Sequence, residues 1–424
     1  DDDLFGENVQ LKLTLTAAGK TKFGKSTITG TVVELQEALG GIGFNYYAED
    51  SYAEKVGEEY EVTVSMGGCK TTLPVKIVEG TKVALTAANF PDANFRAYLE
   101  ETYDKDGYVI AEAVTEIYCQ GRGIKDLTGI ERFPNLCELN CSGNELTKLS
   151  IDSANLRKLS CYGNKLTVLD VSDCPNLSYL DCDGNSVGTL DVSKNPALEM
   201  LYCADNGLRT LDVSKNTSLT LLYCAYNKLT ALDVSKNTAL IELNCGDNSL
   251  PTLDVSKNLA LETLYCDNNK LEKLDVSNNT RLEKLDCSYN QLTVIYLPGT
   301  KAETNVLSRI ATFFAPATYA DETNTVALTE LDCSGNYLSE IDASSCKNLE
   351  VLICMKNNKS LTVIVDQLDR VALTTIGTEN VKVRDTTGIQ SGTEVSGRIL
   401  SADVAQMTLV NGSGKVVRTT WGVE

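Results

Sequence analysis

The spacing of the cysteines is the feature that most constrains how this chain can fold. Nine cysteines follow one another at steps of 22, 20 and then 21 residues, and two more lie 21 residues apart after a gap. A period near 21 residues is too short for an independent domain, because one copy cannot bury its apolar face alone. The copies must therefore stack. The eleven positions are Cys119, Cys141, Cys161, Cys182, Cys203, Cys224, Cys245, Cys266, Cys287, Cys333 and Cys354.

Two columns of asparagine accompany the cysteines. In the first column an asparagine lies three residues after each cysteine, except after Cys119, where the residue is Arg122. Its members are Asn144, Asn164, Asn185, Asn206, Asn227, Asn248, Asn269, Asn290, Asn336 and Asn357. The other follows the phrase "LDVS", which alternates with the cysteine phrase: Asn195, Asn216, Asn237, Asn258 and Asn279. In "LxLxC" the leucines and cysteines alternate, so they lie on one face of a short strand, and that face must be the interior. We expect each asparagine to hydrogen-bond the backbone of the adjoining turns.

The phrase "LxxLxCxxNxL" resembles the leucine-rich repeat signature, with cysteine where that family more often has leucine. The double phrase "LxxLxCxxNxLxxLDVSxNxx" resembles a bacterial class of 21-residue repeats built from two nested half-repeats. The resemblance covers residues 115 to 370 and implies a right-handed solenoid, mostly β, with a parallel sheet on its concave face. The "LDVS" half is expected to form a second short strand or an extended segment. Little helix is expected, because Asp, Val, Ser and Asn are poor helix formers.

The cysteines themselves have four possible roles, of which a buried free thiol fits best. Cysteine behaves as a small hydrophobe at positions where leucine also fits. Neighbouring side chains of a parallel ladder point the same way, which suits a disulfide poorly. There is no CxxC metal knuckle, and the chain has no histidine to activate a nucleophile. Cys174 and Cys346 occupy the second asparagine column, where a thiol can replace the amide as a weak donor.

The residues between the buried ones define a candidate binding surface of tyrosines and aspartates on the concave face. Tyrosine offers rigid amphipathic contact area, and aspartate accepts hydrogen bonds or binds cations. The alternative is that the tyrosines only stabilise the sheet, which favours aromatic residues. The predicted ligand-binding residues are Tyr162, Tyr179, Tyr202, Tyr223, Tyr226, Tyr265, Tyr289, Asp181, Asp183, Asp205, Asp267 and Asp286.

Charge and composition exclude several classes of function. A net charge of −20 should repel phosphate backbones, so no nucleic-acid partner is expected. No apolar run reaches the roughly 18 residues that a membrane helix needs, and no signal peptide is visible in the given sequence. No cofactor and no metal are predicted. A monomeric state is compatible with the sequence.

Residues 1–87 alternate apolar and polar positions, which predicts a small β-sandwich-like domain of five or six strands. The stretch "GKTKFGKS", residues 19–26, satisfies the P-loop pattern GxxxxGK[ST]. A P-loop must open a helix whose N-terminus holds phosphate, whereas "TITGTVVEL" follows here. The nucleotide-binding interpretation therefore lacks its structural context.

Residues 88–114 resemble the helical cap that precedes leucine-rich repeats in surface proteins of gut Bacteroidetes and some Firmicutes. Phe90, Phe95, Tyr98 and Leu99 would line one face of its helix. The "DKDG" that follows is similar to an EF-hand loop but lacks the first aspartate and the bidentate glutamate, so we interpret it as a degenerate turn. The solenoid is predicted over 115–385, with an insertion near 299–324, and a short β segment over 386–424.

The sequence thus predicts a non-enzymatic cell-surface or secreted protein that is similar to internalins and binds a protein partner, as in host adhesion. One alternative is a glycan ligand, for which tyrosine platforms also serve. Another is an enzyme that uses Lys25 and Ser26 of the P-loop-like stretch, or Asp181 and Asp183 as acid and base. Against the second pair, carboxylates in open, solvated rows would lack the burial that shifts their pKa.

Overall fold

A computed structural model describes residues 80–104, 106–300, 326–358 and 361–365 with their side chains. Eight further strands are described by their backbone alone. Residues 19–25 of the P-loop-like stretch and 301–324 of the predicted insertion lie outside the described residues. The chain divides into two units, the first formed by residues 1–119 with 126–139 and the second by residues 120–125 with 140–424.

The first unit begins with a four-stranded antiparallel sheet in the order β2-β1-β3-β4. Its strands are β1 (Gln10–Leu15), β2 (Ser26–Thr31), β3 (Glu59–Met66) and β4 (Cys69–Lys76). A strand therefore begins at Ser26, where a P-loop would require a helix, which argues against nucleotide binding there. The predicted sandwich over residues 1–87 stays a prediction.

A single turn-helix-turn segment follows within the first unit. Helix α1 (Ala93–Tyr103) begins at the N-cap Asp92, whose side chain accepts hydrogen bonds from the N–H groups of residues 94 and 95. The helix buries Phe95, Tyr98 and Leu99 as predicted, whereas Phe90 lies before it and packs edge-on against Phe95 at 5.8 Å. Strands β5 (Lys82–Ala84) and β6 (Tyr108–Ile110) pair antiparallel around the helix, and β7 (Glu116–Tyr118) and β8 (Glu138–Asn140) follow.

Within its described residues, the second unit contains ten parallel strands of one sheet, each of them three residues long. The strands are short because the alternation that buries leucine and cysteine ends at the asparagine turn. Their order in the sheet follows the chain. They are β9 (Lys158–Ser160), β10 (Tyr179–Asp181), β11 (Met200–Tyr202), β12 (Leu221–Tyr223), β13 (Glu242–Asn244), β14 (Thr263–Tyr265), β16 (Lys284–Asp286), β18 (Glu330–Asp332), β20 (Val351–Ile353) and β22 (Ala372–Thr374).

Most "LDVS" segments form irregular chain that leads into a turn, and few of them form strands. In their tight turns an aspartate accepts a hydrogen bond from the serine N–H two residues later, as Asp191 does from Ser193 at 2.9 Å. Two small groups of strands form on this side. The first pairs β15 (Lys273–Asp275) with β17 (Val294–Tyr296), and the second joins β19 (Glu340–Ala343), β21 (Thr362–Val365), β23 (Val381–Asp385), β24 (Met407–Val410) and β25 (Val416–Arg418).

The register of the parallel strands places equivalent residues of successive turns next to each other. Leu180 pairs with Leu201 and Leu201 with Leu222, so each turn places its leucine and the following cysteine on those of the next turn. Leu285 pairs directly with Leu331, so the ladder continues across the long connection between β16 and β18. In the turns described with side chains, the leucine at the centre of each strand of the ladder and the ladder cysteines are buried.

The first asparagine column connects neighbouring turns through the backbone, as predicted. Asn227 donates from Nδ2 to the carbonyl oxygens of Cys203, at 3.0 Å, and of Cys224, at 3.1 Å. Its Oδ1 accepts from the N–H of Leu208 at 2.9 Å. Because every member serves the turn before it, the column satisfies backbone groups that the short strands leave unpaired.

Candidate binding surface on the sheet

Three rows of residues form the outward face of the sheet. The first row lies directly before the ladder cysteines, the second directly after them, and the third two residues after them. This outward face is the surface that the sequence predicts to be concave. All twelve predicted site residues lie on the outward face or at the start of its strands. Four are exposed: Tyr162, Tyr226, Tyr289 and Asp205. Eight are half-buried: Tyr179, Tyr202, Tyr223, Tyr265, Asp181, Asp183, Asp267 and Asp286.

Three tyrosines of consecutive strands form a continuous cluster, which we call the tyrosine cluster. The rings of Tyr179 and Tyr202 have centroids 5.6 Å apart, and those of Tyr202 and Tyr223 lie 5.1 Å apart in an edge-to-face arrangement. The phenol of Tyr223 donates a hydrogen bond to Glu242 on the next strand. Burial, followed by the nearby charge of Asp181, raises the pKa of Tyr179 to about 12. The cluster is therefore neutral at physiological pH and presents ring faces beside carboxylates.

Asp181 and Asp183 form a first acidic group beside the tyrosine cluster. Asp181 lies directly opposite Tyr202 in the ladder and accepts a hydrogen bond from the Ser160 hydroxyl at 3.0 Å. Asp183 accepts one from the N–H of Ala204 at 2.6 Å. Burial raises the pKa of Asp183 to about 6, and the charges of Asp181 and Asp205 add to the shift. The sequence-based argument that these carboxylates lie in open, solvated rows and lack the burial that shifts a pKa was wrong, because both side chains are half-buried.

A second acidic group lies farther along the outward face. Asp286 is opposite Tyr265 on one side and Asp332 on the other. Burial raises the pKa of Asp267 to about 6, and the charges of Asp286, Asp247 and Asp332 add to the shift. Burial raises the pKa of Asp332 as well. Carboxylates thus gather at two places on the outward face.

The row two residues beyond the cysteines contains strained residues that sequence reasoning did not identify as strained. Its backbone is left-handed in every described turn from Gly143 to Lys356, and glycine occupies four of these positions: Gly143, Gly163, Gly184 and Gly335. Elsewhere the row carries Asp205, Asp247 and Asn268, which tolerate a positive φ, and Tyr226, Tyr289 and Lys356, which seldom adopt one. Tyrosine is costly there, at about 1 kcal/mol or more. Strain of this kind persists where the surrounding structure fixes the backbone, and it clusters at functional sites.

The row directly after the cysteines is less exposed than the sequence suggests. Ser142, Ala225, Gly246 and Ser288, which are expected to face solvent, are buried. Their side chains are small, and larger neighbours on adjacent turns cover them; the carboxylate of Asp267, for instance, lies over Gly246. These small residues lie below and between the side chains of the tyrosines and aspartates.

The thiols behave as buried apolar groups. All eleven ladder cysteines are fully buried, and no disulfide forms among the described cysteines. Burial raises the pKa of Cys224 to about 12, so the thiol stays neutral. In the second asparagine column, Cys174 donates weakly from Sγ to the carbonyl of Ile151 at 3.8 Å, as the sequence suggests.

Within the described ranges, no group of three or more carboxylate, thiol or imidazole side chains is arranged to hold a metal ion. In the same part of the chain, no helix has both the length and the apolar character needed to cross a membrane.

Comparison with known proteins places this architecture. Models of the leucine-rich repeat match residues 154–195 and 327–349. The functional domain of InlJ from Listeria monocytogenes, whose structure includes a cysteine ladder, is similar with a TM-score of 0.62 and 29% identity, over 79% of this chain and 78% of its own. The chain folds as a leucine-rich repeat solenoid.

A second internalin supports the same fold. The structure of an internalin (inlF) from Listeria monocytogenes is similar with a TM-score of 0.53 and 20% identity, over 77% of this chain and 98% of its own. No curated protein matches the sequence. The leucine-rich repeat solenoid is therefore internalin-like in its fold.

Proposed function

We propose that this leucine-rich repeat protein binds a protein partner through the outward face of its sheet, at the cell surface or after secretion, as in adhesion to a host. The observation that carries the proposal is the tyrosine cluster, with the two acidic groups on the same face. Interfaces are enriched in tyrosine because its ring buries area at a low cost in side-chain entropy. A ladder of backbone hydrogen bonds holds these rings in place before a partner arrives, so little entropy is lost on docking.

The strained tyrosines of the left-handed row support the proposal independently. Glycine at Tyr226 and Tyr289 would relieve this strain, as it does at four equivalent positions of the row. Tyr226 and Tyr289 are exposed at 64% and 51%, so packing in the free protein covers only part of each side chain. Binding free energy that these tyrosines contribute only in a complex would compensate for their backbone strain.

The proposal is tested by screening the chain against a panel of extracellular proteins, with a glycan array in parallel. The test variant is Tyr202→Ala/Tyr223→Ala. The matched control is Tyr296→Ala/Tyr337→Ala, which removes one half-buried and one exposed tyrosine outside the outward face. We expect the test variant to weaken partner binding at least tenfold, as loss of interface anchors does, and the control to leave it unchanged. Equal binding by both variants would refute the site.

We propose further that the protein is not an enzyme, and the array separates this from the alternative. An acid–base pair at Asp181 and Asp183 would cleave a bound glycan, whereas a binding surface would retain it intact. Product analysis of any glycan that binds therefore decides between the two roles.

A further inference from the structure

Over most of its turns the outward face carries negative charge that no lysine or arginine of the same turns offsets. The 27 positions that precede, follow and lie two beyond the nine cysteines from Cys141 to Cys333 include seven aspartates and no lysine or arginine. In the part of the chain described with side chains, none of these aspartates has a lysine or arginine nitrogen within 4.0 Å. Ion pairs form elsewhere, as between Lys165 and Glu145 at 3.3 Å. The next turn contributes one cation to the row, Lys356, whose Nζ lies 5.8 Å from the centroid of the Tyr289 ring. The turns from Cys141 to Cys333 therefore lack cations that a partner can supply.

The tyrosine cluster and the first acidic group together have the chemistry of a cation site. The ring of Tyr202 lies between those of Tyr179 and Tyr223, and the charges of Asp181 and Asp183 reach it. A guanidinium or ammonium group bound at Tyr202 is therefore close to aromatic rings and to two carboxylates. Cation–π contact and a charge-assisted hydrogen bond then act on the same group. Both carboxylates are already half-buried, so their hydration is reduced before the partner arrives.

The second acidic group repeats this combination at a fixed distance. Tyr265 adjoins Asp286 in the ladder, and Asp267 and Asp332 complete the group. Asp183 and Asp267 occupy equivalent places four turns apart. At about 4.8 Å between parallel strands, the two groups are separated by roughly 19 Å. An extended chain covers that distance in about six residues, at ~3.4 Å for each.

We infer that the partner presents a basic segment with two arginine or lysine side chains about 19 Å apart, one bound at the tyrosine cluster with Asp181 and Asp183 and the other at Tyr265 with Asp267, Asp286 and Asp332. This inference rests on the proposed function and deepens it by naming the chemistry of the partner. Arginine suits both places better than lysine, because its planar guanidinium stacks on a ring and binds a carboxylate at the same time.

The test is a fluorescence-anisotropy titration with short labelled peptides at physiological ionic strength. The probe has two arginines six residues apart in a glycine–serine chain. Two control peptides replace both arginines by citrulline, which has a similar shape without charge, or place the arginines two residues apart. The test variant is Asp181→Asn/Asp183→Asn, and Asp267→Asn tests the other end. Asparagine keeps the oxygen that accepts the hydrogen bond from Ala204.

The matched protein control is Asp191→Asn/Asp212→Asn. These aspartates lie in the exposed "LDVS" turns, so the variant changes the net charge equally without touching the outward face. We expect the probe to bind wild type about tenfold more tightly than the citrulline peptide and severalfold more tightly than the close-spaced one. The affinity of the test variant for the probe should fall about tenfold, and that of the control variant less than twofold.

Equal losses in the two protein variants would overturn the inference, since they would show general attraction to a chain of charge −20. No preference for arginine over citrulline would also overturn it. This failure differs from failure of the proposed function. If the arginine probe fails while Tyr202→Ala/Tyr223→Ala still abolishes partner binding, the face is a protein site of another chemistry.

Discussion

At the scale of single residues, Tyr226 is the side chain with the clearest conflict between stability and use. Its φ of 53° is left-handed, where glycine lies in the equivalent turns. The variant Tyr226→Gly should therefore raise the free energy of unfolding by about 1 kcal/mol, and chemical denaturation measures it. The reciprocal control is Gly184→Ala, because a Cβ added there makes only ordinary van der Waals contacts. Its free energy of unfolding should fall by a similar amount. A destabilised Tyr226→Gly would show that the tyrosine is held by its own packing.

Asp183 makes a prediction about pH. Its folded pKa of about 6 exceeds the ordinary value of 3.8, so the folded state binds the proton more tightly and loses stability as pH rises from about 4 to 6. Asp183→Asn should raise the melting temperature at pH 7.5, and the gain should shrink towards pH 5. Asp191, whose pKa the Ser193 hydrogen bond lowers, is the control of opposite sign. A gain of equal size at both pH values would contradict the assigned pKa.

At the scale of elements, the two asparagine columns differ in how fully their side chains are used. Asn227 donates to three carbonyls and accepts from two N–H groups. Asn237 donates to Val213 and Asn216, but its Oδ1 is buried without a hydrogen-bond partner among the described residues. The first column therefore holds the turns together more strongly than the second.

This difference predicts unequal costs for the same substitution. Asn227→Ala leaves carbonyl and N–H groups of two turns unpaired, and should lower the free energy of unfolding by about 3 kcal/mol. Asn237→Ala removes two donated bonds together with one unsatisfied oxygen, and should cost about half as much. Denaturant titration of both variants gives the comparison. The order would be contradicted if Asn237→Ala proved the more damaging change.

At the scale of the whole molecule, periodicity made the solenoid predictable, because each leucine, cysteine and asparagine has the same surroundings in every turn. The burial and pKa of side chains whose surroundings vary from turn to turn were harder to predict. The raised pKa of Asp183 and the burial of Ser142 depend on neighbours in adjacent turns, and no single repeat encodes them. The left-handed row was also missed, since a tyrosine at Tyr226 gives no sign of a positive φ. The glycines at equivalent positions were the only available signal.

The stacked interior predicts that the ladder thiols resist modification. They are fully buried and neutral, so N-ethylmaleimide should leave them unlabelled in the native protein and label them in guanidinium chloride. Peptide mass mapping identifies each labelled site, and the half-buried Cys137 is an internal reference. Native labelling of Cys203 or Cys224 at the rate of Cys137 would mean that the interior is open.

Nitration footprinting with tetranitromethane, on the chain alone and bound to the protein that the panel identifies, tests the central claim most directly. Tyr162, Tyr226, Tyr289 and Tyr337 are all about half or more exposed, so each should be nitrated in the free chain. In the complex we predict protection of Tyr226 and its neighbours on the outward face, with Tyr337 still nitrated. Protection of Tyr337 alone, with the outward face as reactive as before, would contradict the account.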